Sequence, residues 1–128
     1  MARKVIQTDE APRAIGPYSQ AVTVDAGRVT FLSGQIPLDP KTMELVSGDI
    51  TVQTERVMEN LKAVLAAAGL DFSHVVRCGI FLVDMNDFAK VNEVYSRYFK
   101  ENPPARATVA VAALPRGARV EIDAIAVS

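Results

Sequence analysis

The amino-acid sequence predicts an α+β fold, a mixed β-sheet with two helices packed on one face. Two segments repeat apolar residues at helical spacing, and several shorter runs are rich in β-branched residues. These segments follow one another as two or three strands, a helix, a strand, a helix and two strands, which is an α+β order. At 128 residues and without a linker-like tract, the chain is expected to form one domain over residues 1–128.

The first third of the chain is expected to hold short strands and loops. A strand is predicted around Lys4 to Gln7, and the two prolines and the glycine of residues 10–20 (EAPRAIGPYSQ) keep the next segment in a loop. Residues 19–34 (SQAVTVDAGRVTFLSG) contain two β-rich runs around the turn sequence DAG, as a hairpin would. Residues 35–48 are expected to form a second loop.

The middle of the chain predicts both helices and one buried strand. Residues 49–68 carry apolar side chains at helical spacing, and Gly69 follows as a stop. The run HVVRCGIFLVD (74–84) is too short and too rich in β-branched residues for a helix, which predicts a largely buried strand. Asp84 is expected to cap the second helix, with Asp87 in its first turn. The apolar face of that helix consists of Phe88, Val91, Tyr95, Tyr98 and Phe99, and the sequence Asn-Pro-Pro ends it.

The last quarter of the chain, residues 103–127 (PPARATVAVAALPRGARVEIDAIAV), is predicted to form two strands joined by a short turn. If these strands pair as a hairpin that turns at residues 114–117, Glu121 faces Ala110 and lies roughly 13 Å along the strand from Arg106. A direct bond between the two charges is not expected in that register.

One face of the predicted sheet has no helix to cover it. The runs VTFLSG, CGIFLV and VAVAAL are too apolar for that face to stay in water. An uncovered apolar patch of this extent usually marks an interface. We therefore expect a homo-oligomer in which sheets pack against sheets.

Arg106 and Glu121 are charged residues on strands that otherwise carry apolar side chains. The strand period puts Arg106 beside Thr108 and alanines, which leave room for a planar anion to reach the guanidinium. Arg106 is then either a salt-bridged or surface arginine, or a bidentate clamp for a carboxylate. Glu121 is either a solvated strand residue or a carboxylate that holds water or the polar end of a ligand. Asn92 borders the apolar face of the second helix, where it either braces a strand or contacts a ligand.

The composition argues against several kinds of site. The net charge is −1 and the charges are scattered, which disfavours nucleic acid as a partner, and no apolar stretch approaches the roughly 20 residues of a membrane span. One histidine, His74, and one cysteine, Cys78, cannot assemble a His/Cys metal cluster, and His74 is poorly placed for a catalytic triad. The single cysteine and the polar start of the chain favour a cytoplasmic location.

Five stretches of the chain together resemble the reactive-intermediate deaminase (RidA, YjgF-like) family. They are AIGPYSQAV, LSGQIPLDP, NLKAVLAAAGL, VDMNDFAKVNEVY and, above all, PPARATVAVAALPRGARVEIDAIAV. The likeness runs from about residue 11 to the end of the chain. It implies a chorismate-mutase-like α+β fold assembled as a homotrimer, with the sheets forming the trimer core and with ligand clefts between subunits.

The resemblance also implies an activity. Family members hydrolyse 2-imino acids such as 2-iminobutanoate and 2-iminopropanoate, the enamine/imine products of pyridoxal-phosphate dehydratases, to 2-oxo acids and ammonia without a cofactor. Carried over by motif, Arg106 clamps the substrate carboxylate and Glu121 binds and orients the water, with Tyr18 beside them in the catalytic set. The substrate-binding residues implied are Arg106, Ser33, Gly34, Asn92 and Thr108.

Two departures from the family pattern and three alternative functions follow from the same residues. Thr108 stands where many members have a cysteine, and Ala110 where many have an acid, which argues against thiol-dependent activities but not against imine hydrolysis. The cleft is alternatively a non-enzymatic sensor of small carboxylates, or the apolar surfaces act as a holdase chaperone. RNA cleavage, also attributed to family members, is disfavoured by the net charge and the single histidine.

Overall fold

A computed structural model describes residues 3–128, which form strands and two α-helices. In chain order they are β1 (Arg3–Ile6), β2 (Ala21–Val24), β3 (Val29–Gln35), α1 (Ile50–Ala67), β4 (Val75–Leu82), α2 (Phe88–Ser96), β5 (Ala105–Ala110) and β6 (Val120–Val127). The predicted order of elements is confirmed, including the short first strand and the two loops of the first third.

The sheet is mixed, as predicted. Four strands are ordered β3-β6-β4-β5, in which β4 and β5 are parallel and the other neighbours are antiparallel. The first two strands form a separate antiparallel pair. The helix α1 packs against α2, β3 and β6. The chain thus has the predicted α+β architecture.

Both predicted hairpins are wrong in their pairing. The strand β2 pairs with β1 and β3 pairs with β6, although a turn at residues 25–28 separates β2 from β3. In the second case β4 lies between β5 and β6, so Glu121 is opposite Phe81 rather than Ala110. A turn signal locates a change of direction but not the partner strand. Apart from Arg77, the strand β4 consists of apolar residues and glycine and is largely buried, which favours a place in the interior of the sheet.

The helix α1 begins and ends where the sequence predicts. The side chain of Asp49 accepts a hydrogen bond of 3.1 Å from the backbone N–H of Val52, which caps the N-terminus. Gly69 follows the helix with φ of 75°, the left-handed conformation that favours glycine at this position. Along its inner face α1 buries Ile50, Gln53, Thr54, Val57, Met58, Leu61 and Leu65. Among the described residues, no helix is both long enough and apolar enough to cross a membrane.

The start of α2 differs from the prediction in one respect. Asp84 caps a single 3-10 turn, Met85–Asp87, which leads directly into α2. Asp87 is buried and its two carboxylate oxygens accept hydrogen bonds of 2.9 and 2.8 Å from Arg119, which immediately precedes β6. This ion pair, in which Nη2 of Arg119 donates to both oxygens, holds the N-terminal end of α2 against the sheet. The helix itself ends at Ser96, earlier than expected, although the core still includes Phe99 from the turns that follow.

The two faces of the four-stranded sheet have opposite characters. Alternate residues of β4 and β6 pack under the helices, among them Cys78, Ile80 and Ile122, each at most 1 % exposed. The other face is open and still carries apolar side chains, with Phe31 at 75 % exposed and Val109 at 46 %. The exposed apolar face predicted from the sequence is therefore present.

Replacing Asp87 by asparagine should destabilise the fold by about 1–3 kcal/mol, because the change removes the charge of a buried ion pair whose arginine is partly solvated. The free energy of unfolding is to be measured by urea denaturation at a fixed protein concentration. Glu93→Gln is the matched control, since Glu93 forms an exposed pair with Arg97, and it should change stability by less than about 0.5 kcal/mol. Equal effects of the two substitutions would contradict this role for Asp87.

Cys78 should be unreactive in the folded protein. Burial raises the pKa of its thiol from 9.0 to about 11, so the folded protein favours the neutral thiol. Because the unfolded chain ionises first, ionisation of this thiol lowers the stability of the fold only as the pH rises from about 9 through 11. We expect a thiol-reactive dye at pH 8 to label native protein at least about a hundredfold more slowly than urea-unfolded protein. Rapid labelling of the native chain would show that this part of the core is open.

Candidate functional site

Arg106 is the centre of a first group of residues, here called the Arg106 cluster (Tyr18, Phe88, Asn92, Tyr95, Arg106 and Thr108), of which Tyr18, Asn92, Arg106 and Thr108 are predicted site residues. Because Arg106 is in register with Cys78 of β4, its side chain points to the face that the helices cover. Its Nη1 donates a hydrogen bond of 2.6 Å to Oδ1 of Asn92 on α2. The Asn92 amide therefore braces strand β5, one of the two roles predicted for it.

Three aromatic rings surround the Arg106 guanidinium. Its Cζ lies 5.4 Å from the ring centroid of Tyr18, 5.7 Å from that of Phe88 and 5.2 Å from that of Tyr95. These are cation–π distances. The expectation that small residues leave the guanidinium open is wrong, because the loop before β2 and the helix α2 supply aromatic rings around it. The guanidinium is thus held in place by one amide oxygen and three aromatic rings.

The charge of Arg106 has no acidic partner within 4.0 Å in residues 3–128. Burial lowers the pKa of the guanidinium, since desolvation disfavours its charged form. A half-buried, rigid fork with no carboxylate of its own is suited to a small planar anion, which supplies the missing charge and accepts two parallel hydrogen bonds.

Two hydroxyl groups of the Arg106 cluster are buried and have no hydrogen-bond partner within residues 3–128. They are Oγ1 of Thr108 and the phenol of Tyr95, which has only the weakly bonding thiol of Cys78 beside it. Burial raises the pKa of Tyr95, so its hydroxyl stays protonated. Buried hydroxyls are normally satisfied, so both hold unused hydrogen-bonding capacity on the side of the sheet where the guanidinium lies.

The other predicted residues form a second group, the Glu121 cluster (Ser33, Gly34 and Glu121). The pairing of β3 with β6 is interrupted between Leu32 and Gln35, which places Ser33 and Gly34 in a β-bulge. A Cβ at residue 34 would overlap the Glu121 carboxylate, so any side chain there would displace that carboxylate. Bulge and glycine together set the carboxylate against the backbone of β3.

The two clusters lie on opposite faces of the sheet. Glu121 lies between the buried residues Val120 and Ile122, so it points to the open face, away from the helices. Arg106 points toward the helices. One copy of the chain therefore cannot present Arg106 and Glu121 to the same small molecule.

Sequence reasoning missed Phe88, Tyr95 and Gly16 as parts of the site. A signal was present, because Phe88, Asn92 and Tyr95 are spaced i, i+4 and i+7 and so share one face of α2. The role of Gly16 depends on the fold alone. A Cβ at that position would lie 3.3 Å from Nη2 of Arg106, so the loop passes directly over the guanidinium. In residues 3–128 no three His, Cys, Asp or Glu side chains are grouped to hold a metal ion.

Comparisons with known proteins agree with the resemblance noted in the sequence. The family model described as endoribonuclease L-PSP matches residues 8–128. Protein DfrA of Myxococcus xanthus is 77 % identical over 128 residues, which cover 100 % of this chain and 98 % of that protein. The 2-iminobutanoate/2-iminopropanoate deaminase of Mus musculus is 55 % identical over 125 residues, covering 98 % of this chain and 91 % of the relative.

Solved structures match over almost the whole chain as well. RidA from an Antarctic Psychrobacter species has a TM-score of 0.76 at 48 % identity, covering 98 % of this chain and 99 % of that one. Escherichia coli TdcF, solved with bound serine, has a TM-score of 0.75 at 45 % identity and covers 98 % of both chains. On sequence, family model and fold together, the chain belongs to the RidA (YjgF, L-PSP) family.

Proposed function

We propose that this protein hydrolyses reactive 2-imino acids, such as 2-iminobutanoate and 2-iminopropanoate, to 2-oxo acids and ammonia, without a cofactor. The observation that carries the proposal is the Arg106 guanidinium, which is rigid, half-buried and without an acidic partner within 4.0 Å in residues 3–128. Such a group fits the one feature that all these substrates share, a carboxylate next to the reacting carbon. Two names among the relatives support this choice, an imine deaminase in mouse and a serine-bound TdcF.

The reaction needs little more than positioning and one proton carrier. A protonated C=N carbon is already electrophilic, so water adds to it once its proton can be accepted. Glu121 takes that proton and returns it to the nitrogen of the tetrahedral adduct. The C–N bond then breaks, and the proton of the remaining hydroxyl passes through Glu121 to the departing ammonia, which gives the 2-oxo acid and ammonium. Arg106 holds the carboxylate so that the carbon stays within reach of the water.

Because Arg106 and Glu121 point to opposite faces of the sheet, the site we propose lies between two copies of the chain. The open face that carries Glu121 also exposes Phe31 and Val109, whose burial against another copy is favourable. A homotrimer whose sheets pack together would bring the Glu121 cluster of one copy against the Arg106 cluster of the next. Under this proposal the protein acts in the cytoplasm, where dehydratases release imines.

Arg106→Lys should lower kcat/KM by about 10- to 100-fold although it keeps the charge, because a lysine cannot offer two parallel hydrogen bonds to one carboxylate. Imine is to be generated from threonine by a threonine dehydratase, and formation of 2-oxobutanoate followed against the spontaneous rate. Arg28→Lys, at an exposed turn position, is the matched control and should match wild type. A wild-type protein that does not exceed the spontaneous rate would refute the proposed function, and an unimpaired Arg106→Lys would refute the clamp.

Mixing two inactive variants should restore activity. Arg106→Ala and Glu121→Gln each spoil one half of a site built by two copies, so random 1:1 assembly leaves about one quarter of the sites with both residues intact. Co-expressed mixtures are to be assayed in the coupled reaction, where we expect roughly that share of wild-type activity. A mixture of Arg106→Ala with Arg106→Lys is the control and should gain nothing. If the mixture of Arg106→Ala and Glu121→Gln is inactive, the two residues belong to one copy's site and the shared site is wrong.

A further inference from the structure

We infer that Gln20, which lies outside both clusters, is a positioning residue for the Arg106 cluster. The inference rests on the proposed function and adds a residue to it. Gln20 closes the loop of residues 8–19, which carries Gly16 and Tyr18 over the Arg106 guanidinium. Without this closure the loop is held at fewer points, and one wall of the carboxylate site is free to move.

The Gln20 side chain is bonded on both of its polar atoms. Its Oε1 accepts a hydrogen bond of 2.7 Å from the backbone N–H of Thr8. Its Nε2 donates to three backbone carbonyl oxygens, at 3.1 Å to Thr8, 3.4 Å to Ala11 and 2.7 Å to Pro12. A side-chain amide combines two N–H donors with a carbonyl acceptor, so neither a carboxylate nor an apolar side chain of the same length replaces it.

The preceding residue, Ser19, joins the same end of the loop to the segment before β5. Its backbone N–H donates to the carbonyl oxygen of Pro104 at 3.2 Å, and its hydroxyl donates to that of Pro103. Because Arg106 follows Pro104 by two residues, this contact ties the loop to the start of the strand that carries the guanidinium. The loop is therefore closed on itself by Gln20 and joined to β5 by Ser19.

The part of the loop between these contacts shapes the guanidinium site. The Tyr18 hydroxyl accepts a hydrogen bond of 3.4 Å from the backbone N–H of Ile15, and the Tyr18 ring lies 5.4 Å from Cζ of Arg106. The tip of the loop is exposed, with Ile15 at 85 %. A loop with an exposed tip has little packing of its own, so its position depends on the hydrogen bonds at its base. Gln20 supplies four of them.

The first test is Gln20→Met, which keeps the length of the side chain and removes its hydrogen bonds. We expect the KM for 2-iminobutanoate to rise about tenfold with a smaller change in kcat, since the clamp is misplaced while Glu121 is untouched. Trypsin should cut after the exposed Arg13 about tenfold faster than in wild type, with the released N-terminal fragment identified by mass. The exposed Gln7→Met is the matched control and should change neither quantity.

The trypsin measurement separates this inference from the proposed function, because it needs no imine chemistry. If wild type does not hydrolyse imines but Gln20→Met is cut faster after Arg13, the proposed function fails and the loop closure stands. If the cutting rate and the KM of Gln20→Met both equal those of wild type, the inference is wrong. A variant that changes stability alone, with wild-type KM and cutting rate per folded molecule, overturns it as well.

Gln20→Glu provides a second test should the methionine variant not fold. Its protonated carboxyl can still donate to one of the carbonyl oxygens, whereas the ionised form is repelled by all three. The ratio of the KM of this variant to that of wild type should therefore rise severalfold between about pH 4 and 7, the range in which a glutamate side chain ionises. A ratio that stays constant across this range, with the variant folded throughout, contradicts the positioning role.

Discussion

The arrangement of the site depends on keeping the Arg106 charge half-buried without neutralising it. Removing a guanidinium from water is costly, and most proteins compensate with a carboxylate. Here the compensation comes from one amide oxygen of Asn92 and from three aromatic faces, which are weaker than a full negative charge. The guanidinium charge is therefore only partly compensated and can bind an anion. The Asp87–Arg119 pair contributes to this arrangement, because it holds against the sheet the start of α2, the helix that carries Phe88, Asn92 and Tyr95.

The second constraint is the position of the two clusters on opposite faces of one sheet. A strand alternates its side chains, so residues that must meet on one small ligand have to come from the same face or from different molecules. Arg106 and Glu121 belong to different faces, and the face of Glu121 is also apolar and exposed. Assembly and catalysis are therefore linked in the mechanism we propose, because the contact that buries the open face also completes the site.

Membership of the RidA family narrows the chemistry without fixing the substrate. The relatives carry the names DfrA, imine deaminase and, for the family model, endoribonuclease, so relatedness alone does not select an activity. The residues of this chain favour the imine. Thr108 offers a hydroxyl where a thiol would allow other reactions, and the lone thiol nearby, Cys78, is buried with a raised pKa.

The sequence by itself determined the order of strands and helices along the chain, the limits of α1, the apolar character of the open face and the identity of the charged residues. These follow from local periodicity, capping and composition, which act over a few residues. Only the tertiary structure decided that β4 separates β5 from β6, that rings rather than alanines surround Arg106, and that Gly16 passes over the guanidinium. These depend on which strand buries the most apolar surface in the centre of the sheet. Burial is a property of the whole chain, so no local pattern could specify the partners.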